Sequence, residues 1–286
     1  ALQQGEAVDA KIKLSTAGRL AGVIIGLKDN ICYKNHRVSA SSKILEGFTS
    51  LYTSTVLQRL IDQDAIVIGR LNCDEFAMGS SNENSAFGSV ENNWKANHVP
   101  GGSSGGSAVA ASAHLCTITL GSDTGGSVRQ PASWTGTYGL KPTYGRMSRY
   151  GLIAYASSFD QIGSFTNSAA DAQLIYELSA GEDEMDATTS SREVKSERTD
   201  FPQKLKIGLI SECVHHEGLD PEVREKLAEL IQKLKDAGHE ITEVSFPFMD
   251  YMVPTYYVLT TAEASSNLSR FDGVHFGYRS QEAKGV

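Results

Sequence analysis

Lys28, Ser103 and Ser127 are the residues of this chain whose type and setting suggest chemistry. Lys28 closes the apolar run AGVIIGL at 21–27, Ser103 lies in the loop GGSSGGS at 101–107, and Ser127 ends a second loop, GSDTGGS at 121–127. A serine hydroxyl is a weak nucleophile until a base takes its proton. Lysine becomes that base when burial disfavours its ammonium form, and Ser–Lys pairs are a known variant of triad logic. Consecutive glycines ahead of a serine also leave backbone N–H groups free to converge on one point, as oxyanion stabilisation requires. Each piece taken singly has a plain structural reading. A strand-end lysine usually snorkels to the surface, and Gly-Ser loops are usually turns.

Other short matches carry less. GGSSG at 101–105 fits the nucleophile-elbow pattern, but an elbow needs a strand before its serine and Asn97-His-Val-Pro100 precedes this one. Asp123-Thr-Gly has no second copy with which to share a proton. Neither glycine loop ends in the Lys-Ser/Thr of a phosphate-binding loop. Cys213, His215 and His216 sit together without further ligands at a recognisable spacing, so they read as a surface loop and no metal site is expected. The seven histidines are scattered.

The elements that position these residues follow from periodicity. Residues 1–13 read as a helix, 21–27 as a buried strand, 53–63 as a helix and 65–69 as another buried strand. Residues 108–120 read as a helix running into a strand at 115–120. Residues 79–163 are rich in Gly and Ser, yet apolar runs interrupt them, so the glycines shape loops inside a packed domain. A polar stretch at 182–200 reads as an exposed excursion. Strands at 205–210 and 239–246 flank an amphipathic helix at 221–237 with Pro221 at its start and Gly238 after its end. Strand–helix alternation predicts an α/β fold with a parallel or mixed sheet.

Composition bounds the partners. The 286 residues include 40% hydrophobic and 21% charged, enough for a sizeable core, and a size between one large domain and two. A net charge of −8 gives no global field for gripping phosphate backbones, so any nucleic acid is expected to be held by another subunit. Four cysteines without CxxC spacing fit a reducing cytoplasm. No run reaches the ~20 apolar residues needed to span a bilayer. The chain opens inside a helical pattern at Ala1 and shows no stop signal at Val286, which suggests a portion of a longer protein.

Together, Lys28, GGSSGG from Gly101 and GSDTGGSVRQP from Gly121 to Pro131 resemble the amidase signature family, and GLKPTYG at 139–145 continues the match. The intervals of 75 residues from Lys28 to Ser103 and 24 from Ser103 to Ser127 are those of that family. The resemblance implies a mixed twisted β-sheet covered by helices on both faces, in one domain over 1–286 with its signature core at about 79–163. It implies Ser127 as the acyl-forming nucleophile, Ser103 as a proton-bridging serine on a cis peptide bond, and Lys28 as general base. The amides of Thr124, Gly125, Gly126 and Ser127 would line the oxyanion hole.

DEFAMGSSNENSAFG (74–88), SRYGLIAYASSFDQIG (148–163) and EASSNLSRFDGVHFGYR (263–279) are further similar to the glutaminase subunits of bacterial tRNA-dependent amidotransferases. That similarity implies hydrolysis of glutamine, with ammonia passed to B- and C-type partner subunits that amidate Glu-tRNA(Gln) or Asp-tRNA(Asn). This chain would need no cofactor, and ATP and Mg would be used at the partner, which would also hold the tRNA. The Arg and Asp that bind the glutamine α-groups in that family would lie beyond Val286. Asp123, Arg129, Asp160 and Gln161 are assigned to bracing the loops, and Trp94, Trp134, Tyr256 and Tyr257 to packing. A stand-alone small-molecule amidase and a catalytically silent scaffold within a complex are the competing readings.

Overall fold

The computed structural model describes residues 1–194 and 202–285, so part of the polar excursion expected at 182–200 lies outside the described residues. The chain divides into two compact units, Ala1–Ser196 with Thr260–Val286, and Glu197–Leu259.

The first unit carries α1 (Leu2–Lys13), β1 (Ile24–Lys28), α2 (Thr55–Asp62), β2 (Ile66–Leu71), α3 (Gly105–Ser112) and β3 (Ile118–Asp123). It continues with α4 (Arg129–Thr135), β4 (Tyr138–Leu140), β5 (Gln161–Thr166) and α5 (Ala169–Ser179). Ser54 caps α2 by accepting from the Leu57 amide, and Ser168 caps α5 through Asp171. Two expected strands start later than periodicity placed them. Gly22 at φ 86° and a Val23-to-Leu20 backbone bond hold the start of 21–27 in a turn, so β1 begins at Ile24 and takes in Lys28. The amides of Leu115 and Cys116 close the end of α3 on Ala110, so the strand expected at 115–120 begins at Ile118 and Leu115 is exposed.

The strands form a mixed five-stranded sheet in the order β2-β1-β3-β5-β4. β1 pairs parallel with β2 and β3, and β5 pairs antiparallel with β3 and β4. Alternation along the strands separates two cores. Ile118, Leu120 and Ile162 pack with Ile25, Leu27, the α2 residues Val56, Leu57 and Leu60, and Ile175 of α5. Phe165, one position out of phase with Ile162, packs with Ala108 and Ala111 of α3 and Val128 and Ala132. Helices therefore cover both faces of the sheet. The alanine-rich contact lets α3 lie close to the strands, which matters because Ser103 and Ser104 immediately precede it.

In the second unit, β6 (Lys206–Ile210) and β7 (Glu240–Val244) pair in parallel, with α6 (Ser211–Val214) and α7 (Pro221–Asp236) between them in sequence. Asp220 caps α7 through the amides of Glu222 and Val223. The helix α8 (Met249–Leu268) has residues in both units. Cys213 is exposed and His215 pairs with Glu243, and among the described residues no group of three or more His, Cys, Asp or Glu could hold a metal ion.

The aromatic residues assigned to packing do not all serve the core. Trp94 and Trp134 are exposed, and the Trp94 indole N–H bonds Ser112 Oγ and the Thr135 carbonyl, so it pins a loop to α3 and α4. Tyr256 and Tyr257 meet edge to edge on α8, with Tyr257 exposed. Replacing a true core residue has a defined cost: Leu57→Ala in α2, fully buried, should lower stability by about 3 kcal/mol through lost transfer energy and the cavity left behind. Urea unfolding, read as a lower midpoint at unchanged slope, measures it.

Candidate active site

Parallel pairing builds the site. With Leu27 opposite Leu120, the C-terminal ends of β1 and β3 lie side by side, which brings the Lys28 side chain within hydrogen-bonding reach of Ser122, one residue beyond its level in the register. The segment before α3 supplies two further hydroxyls. Lys28 Nζ is 2.7 Å from Ser103 Oγ, 2.9 Å from Ser104 Oγ and 2.9 Å from Ser122 Oγ, with the Ser122 carbonyl at 3.4 Å. Lys28, Ser103 and Ser104 are completely buried. The lysine therefore sits among neutral oxygens, with no carboxylate in its hydrogen-bonding shell.

The loop that presents Ser103 needs glycine. A Cβ on Gly102 would fall 2.1 Å from Asp74 Oδ2, and the Asp74 amide donates to the Ser103 carbonyl. The Gly102–Ser103 peptide bond is cis. No strand leads directly into Ser103, consistent with discounting the elbow.

Ser127 lies on the loop between β3 and α4, organised by one carboxylate. Asp123 accepts from the amides of Gly126, Val128 and Arg129 and from Nε and Nη2 of Arg129. Gly126 takes φ 123°, a conformation other residues rarely adopt. Asp160 fixes the loop from the other side by accepting from Thr124 Oγ1 at 2.6 Å and from the amides of Tyr155 and Ala156. Gln161 donates to the Asp160 carbonyl. These contacts are the bracing assigned to Asp123, Arg129, Asp160 and Gln161.

Ser127 is 8% exposed, and its hydroxyl bonds no other described residue; its carbonyl accepts from the Ser104 amide at 3.3 Å. The two loops thus touch, while the Ser127 hydroxyl remains available to a substrate. Among the amides expected to line an oxyanion hole, those of Thr124, Gly125 and Ser127 bond no described residue, whereas that of Gly126 is taken by Asp123 Oδ1 at 2.8 Å. The carboxylate that shapes the loop is close enough to use up this donor.

Electrostatics follow from the burial. Desolvation lowers the Lys28 pKa to about 8, against an opposing pull from Cys73, Asp74, Asp123 and Asp160. Burial pushes the Cys73 thiol up to about 11, so it is uncharged at neutral pH. Burial likewise raises Asp74, and raises Asp160 to about 6 despite the hydrogen bonds it accepts. Burial pushes Asp123 upward too, but the Arg129 contacts and loop amides outweigh it and hold it below its ordinary value. The negative charge acting on Lys28 is therefore weakened or already committed, and a neutral amine is within reach near physiological pH.

With Lys28 as a base that no carboxylate may contact, the sequence predicts an outward-pointing Asp29, but Asp29 differs. It is buried and not outward-pointing, because the chain after β1 folds back and its amides need an acceptor: Asp29 Oδ2 receives the Ser39 and Ser41 amides and the Ser39 hydroxyl. It still makes no contact with Lys28. Sequence reasoning missed Asn30, Asp74, Ser104 and Ser122 as members of the site. The only available signal was that Ser104 and Ser122 share the two glycine-rich loops. The site thus brings together a buried amine, three hydroxyls around it, and a neighbouring loop with uncommitted backbone amides.

The lysine leaves a signature in stability. Its folded pKa of about 8 lies below the ordinary value of 10.5, so the unfolded chain binds more protons between those limits and wild-type stability rises with pH through that window. Lys28→Met, which has no such group, should therefore compare best with wild type at about pH 7 and lose ground as pH climbs to about 10. Paired unfolding curves across that range check the sign.

The Amidase family model matches residues 1–285. The A-type component of the glutamyl-tRNA(Gln) amidotransferase of Salinibacter ruber is 51% identical over 99% of this chain and 56% of that protein. The protein of the same name from Chlorobium phaeobacteroides is 50% identical over 98% of this chain and 60% of its own length. Among solved structures, the corresponding A-type component of glutamyl-tRNA(Gln) amidotransferase from Thermotoga maritima matches with a TM-score of 0.82 at 43% identity, covering 88% of this chain and 56% of that one. Native peptide amidase from Stenotrophomonas maltophilia matches with a TM-score of 0.81 at 28% identity, over 96% and 58%. The chain spans little more than half the length of these relatives. With a family match along nearly its whole length and a buried Lys–Ser pair at its centre, this chain belongs to the Amidase family.

Proposed function

We propose that this chain is the glutamine-hydrolysing part of a tRNA-dependent amidotransferase. The observation that carries the chemistry is a fully buried Lys28 whose Nζ is 2.7 Å from Ser103 Oγ and has no carboxylate partner. The choice of glutamine and of tRNA-dependent amidation is supported by relatives near 50% identity that are named as A-type components of glutamyl-tRNA(Gln) amidotransferase.

In this reading Ser127 Oγ attacks the side-chain carbonyl of glutamine. Its proton passes to Ser103, and the Ser103 proton to neutral Lys28. The oxyanion is received by the amides of Thr124, Gly125 and Ser127, with Gly126 shaping the turn. Collapse breaks the C–N bond, and the proton returns through Ser103 to the departing ammonia. Water then hydrolyses the glutamyl ester by the same relay. B- and C-type partner subunits would use the ammonia, with ATP and Mg bound there, and would hold the Glu-tRNA(Gln) or Asp-tRNA(Asn). The cytoplasm is the matching compartment; among the described residues, no helix is long and apolar enough to cross a membrane. A silent scaffold would have no use for burying an amine against a serine.

Ser127→Ala should reduce glutaminase activity by at least about a thousandfold while the protein stays folded, as loss of a nucleophile that works in a relay does. Lys28→Arg should be similarly inactive because guanidinium does not deprotonate in proteins. Wild-type kcat/KM should rise with pH as Lys28 loses its proton, with an apparent pKa near 8. Full glutaminase activity in a folded Ser127→Ala protein overturns the proposal.

A further inference from the structure

Three hydroxyls surround Lys28 Nζ, and their other bonds make them unequal. Ser104 Oγ donates its proton to the Ser122 carbonyl at 3.0 Å and accepts from the Ser122 amide at 3.3 Å. It is left able only to accept from Lys28. Ser122 Oγ accepts from Asn30 Nδ2 at 2.9 Å as well as from Lys28. Ser103 Oγ bonds Lys28 and no other described residue. Of the three, Ser103 alone carries a hydroxyl with no commitment besides the amine.

That inequality suits proton transfer. A neutral amine has two N–H groups and one lone pair, and its ammonium has three N–H groups. If Ser104 and Ser122 take the two N–H groups, the lone pair faces Ser103. Once the proton arrives, the third N–H faces Ser103 and all three are satisfied. A carboxylate in place of Ser122 would hold the proton on permanently. An apolar residue would leave that buried N–H only the longer contact to the Ser122 carbonyl, at 3.4 Å.

We propose that Ser122, steadied by Asn30, is a positioning residue for the proton transfer: with Ser104 it directs the Lys28 lone pair at Ser103 and accepts from the ammonium that forms. Lys28, Asn30 and Ser122 are all essentially buried, so water does not substitute freely for the lost contact. The inference rests on Lys28 acting as the base of the proposed hydrolysis. Cys73, Asp74, Asp123 and Asp160 are the titratable groups acting on Lys28, and all remain in the variants below.

The test is the pH dependence of glutamine hydrolysis by the protein as its host makes it, with its partner subunits, in wild type and in Ser122→Ala, Ser122→Thr and Lys28→Ala. Ser122→Ala should lower kcat about tenfold, the scale of one hydrogen bond to a charged group, with KM within about twofold. Its acid limb should move to lower pH, because the ammonium has lost an acceptor. Ser122→Thr, which keeps a hydroxyl, should return the limb towards wild type. A Ser122→Ala enzyme with the wild-type limb overturns the inference, whatever its rate, since a structural role would not shift the titration. Should Ser122→Ala fail to fold, Ser104→Ala removes another acceptor and must shift the limb the same way or overturn the inference. Substantial activity in Lys28→Ala instead overturns the base assignment itself, which separates the two failures.

Discussion

An amine buried without a counter-ion is the constraint on which the site depends. Complete burial of Lys28 among serine oxygens disfavours its ammonium strongly enough to bring its pKa to about 8. A salt bridge would relieve that cost and abolish the property. The surrounding chemistry is arranged to avoid one. Asp29, next in sequence, spends its carboxylate on Ser39 and Ser41, and Asp123 spends its own on Arg129 and the loop amides. Burial raises Cys73 to about 11, which keeps the thiol neutral, and raises Asp74 as well. The neutral amine that burial favours is what remains able to accept a proton.

The backbone must then come close on several sides. The parallel β1–β3 pair brings Lys28 and Ser122 to one edge, and the small face of α3, with Ala108 and Ala111 against Phe165, keeps Ser103 and Ser104 near that edge. Gly102 gives Asp74 room to pack against the Ser103 loop, and Gly126 supplies the turn that carries Ser127 past Asp123. Glycine is required at these points for geometry, and the free Thr124, Gly125 and Ser127 amides are the chemical return on it.

Lys28, Ser103 and Ser127 were legible in the sequence because each ends or interrupts a segment whose pattern is local: an apolar strand, or a glycine-rich loop. Ser122 and Asn30 were not legible. Their importance depends on which atom faces which across a gap of 92 residues, and a serine inside a strand has no distinctive pattern. Asp29 was misjudged because its orientation follows from unpaired amides at Ser39 and Ser41, invisible until the chain folds back. The early elements α1, β1, α2 and β2 were found to within a few residues, whereas α5 was missed and α4, β4 and β5 were not picked out of the glycine- and serine-rich middle. There local propensity is weak, and pairing such as that of β5 with β3 decides the structure.

In the proposed reaction, proton transfer and substrate choice are separable. The fold is shared, at a TM-score of 0.81, with a peptide amidase only 28% identical to this chain, so the architecture alone does not select glutamine. Nor do the charged groups beside the loops. Asp123 is bound to Arg129, Arg149 is bound to Asp186, and Asp160 already accepts from Thr124 and two amides. A free amino acid brings an ammonium and a carboxylate into the site, and burying either without a partner costs far more than a lost neutral hydrogen bond. Diverting Asp123 or Asp160 to meet the ammonium would release the loop that presents Ser127 and its amides. Under the proposed function, recognition of glutamine would therefore require charged groups other than those that hold the two glycine-rich loops, while the neutral cage around Lys28 would serve whichever amide is cleaved.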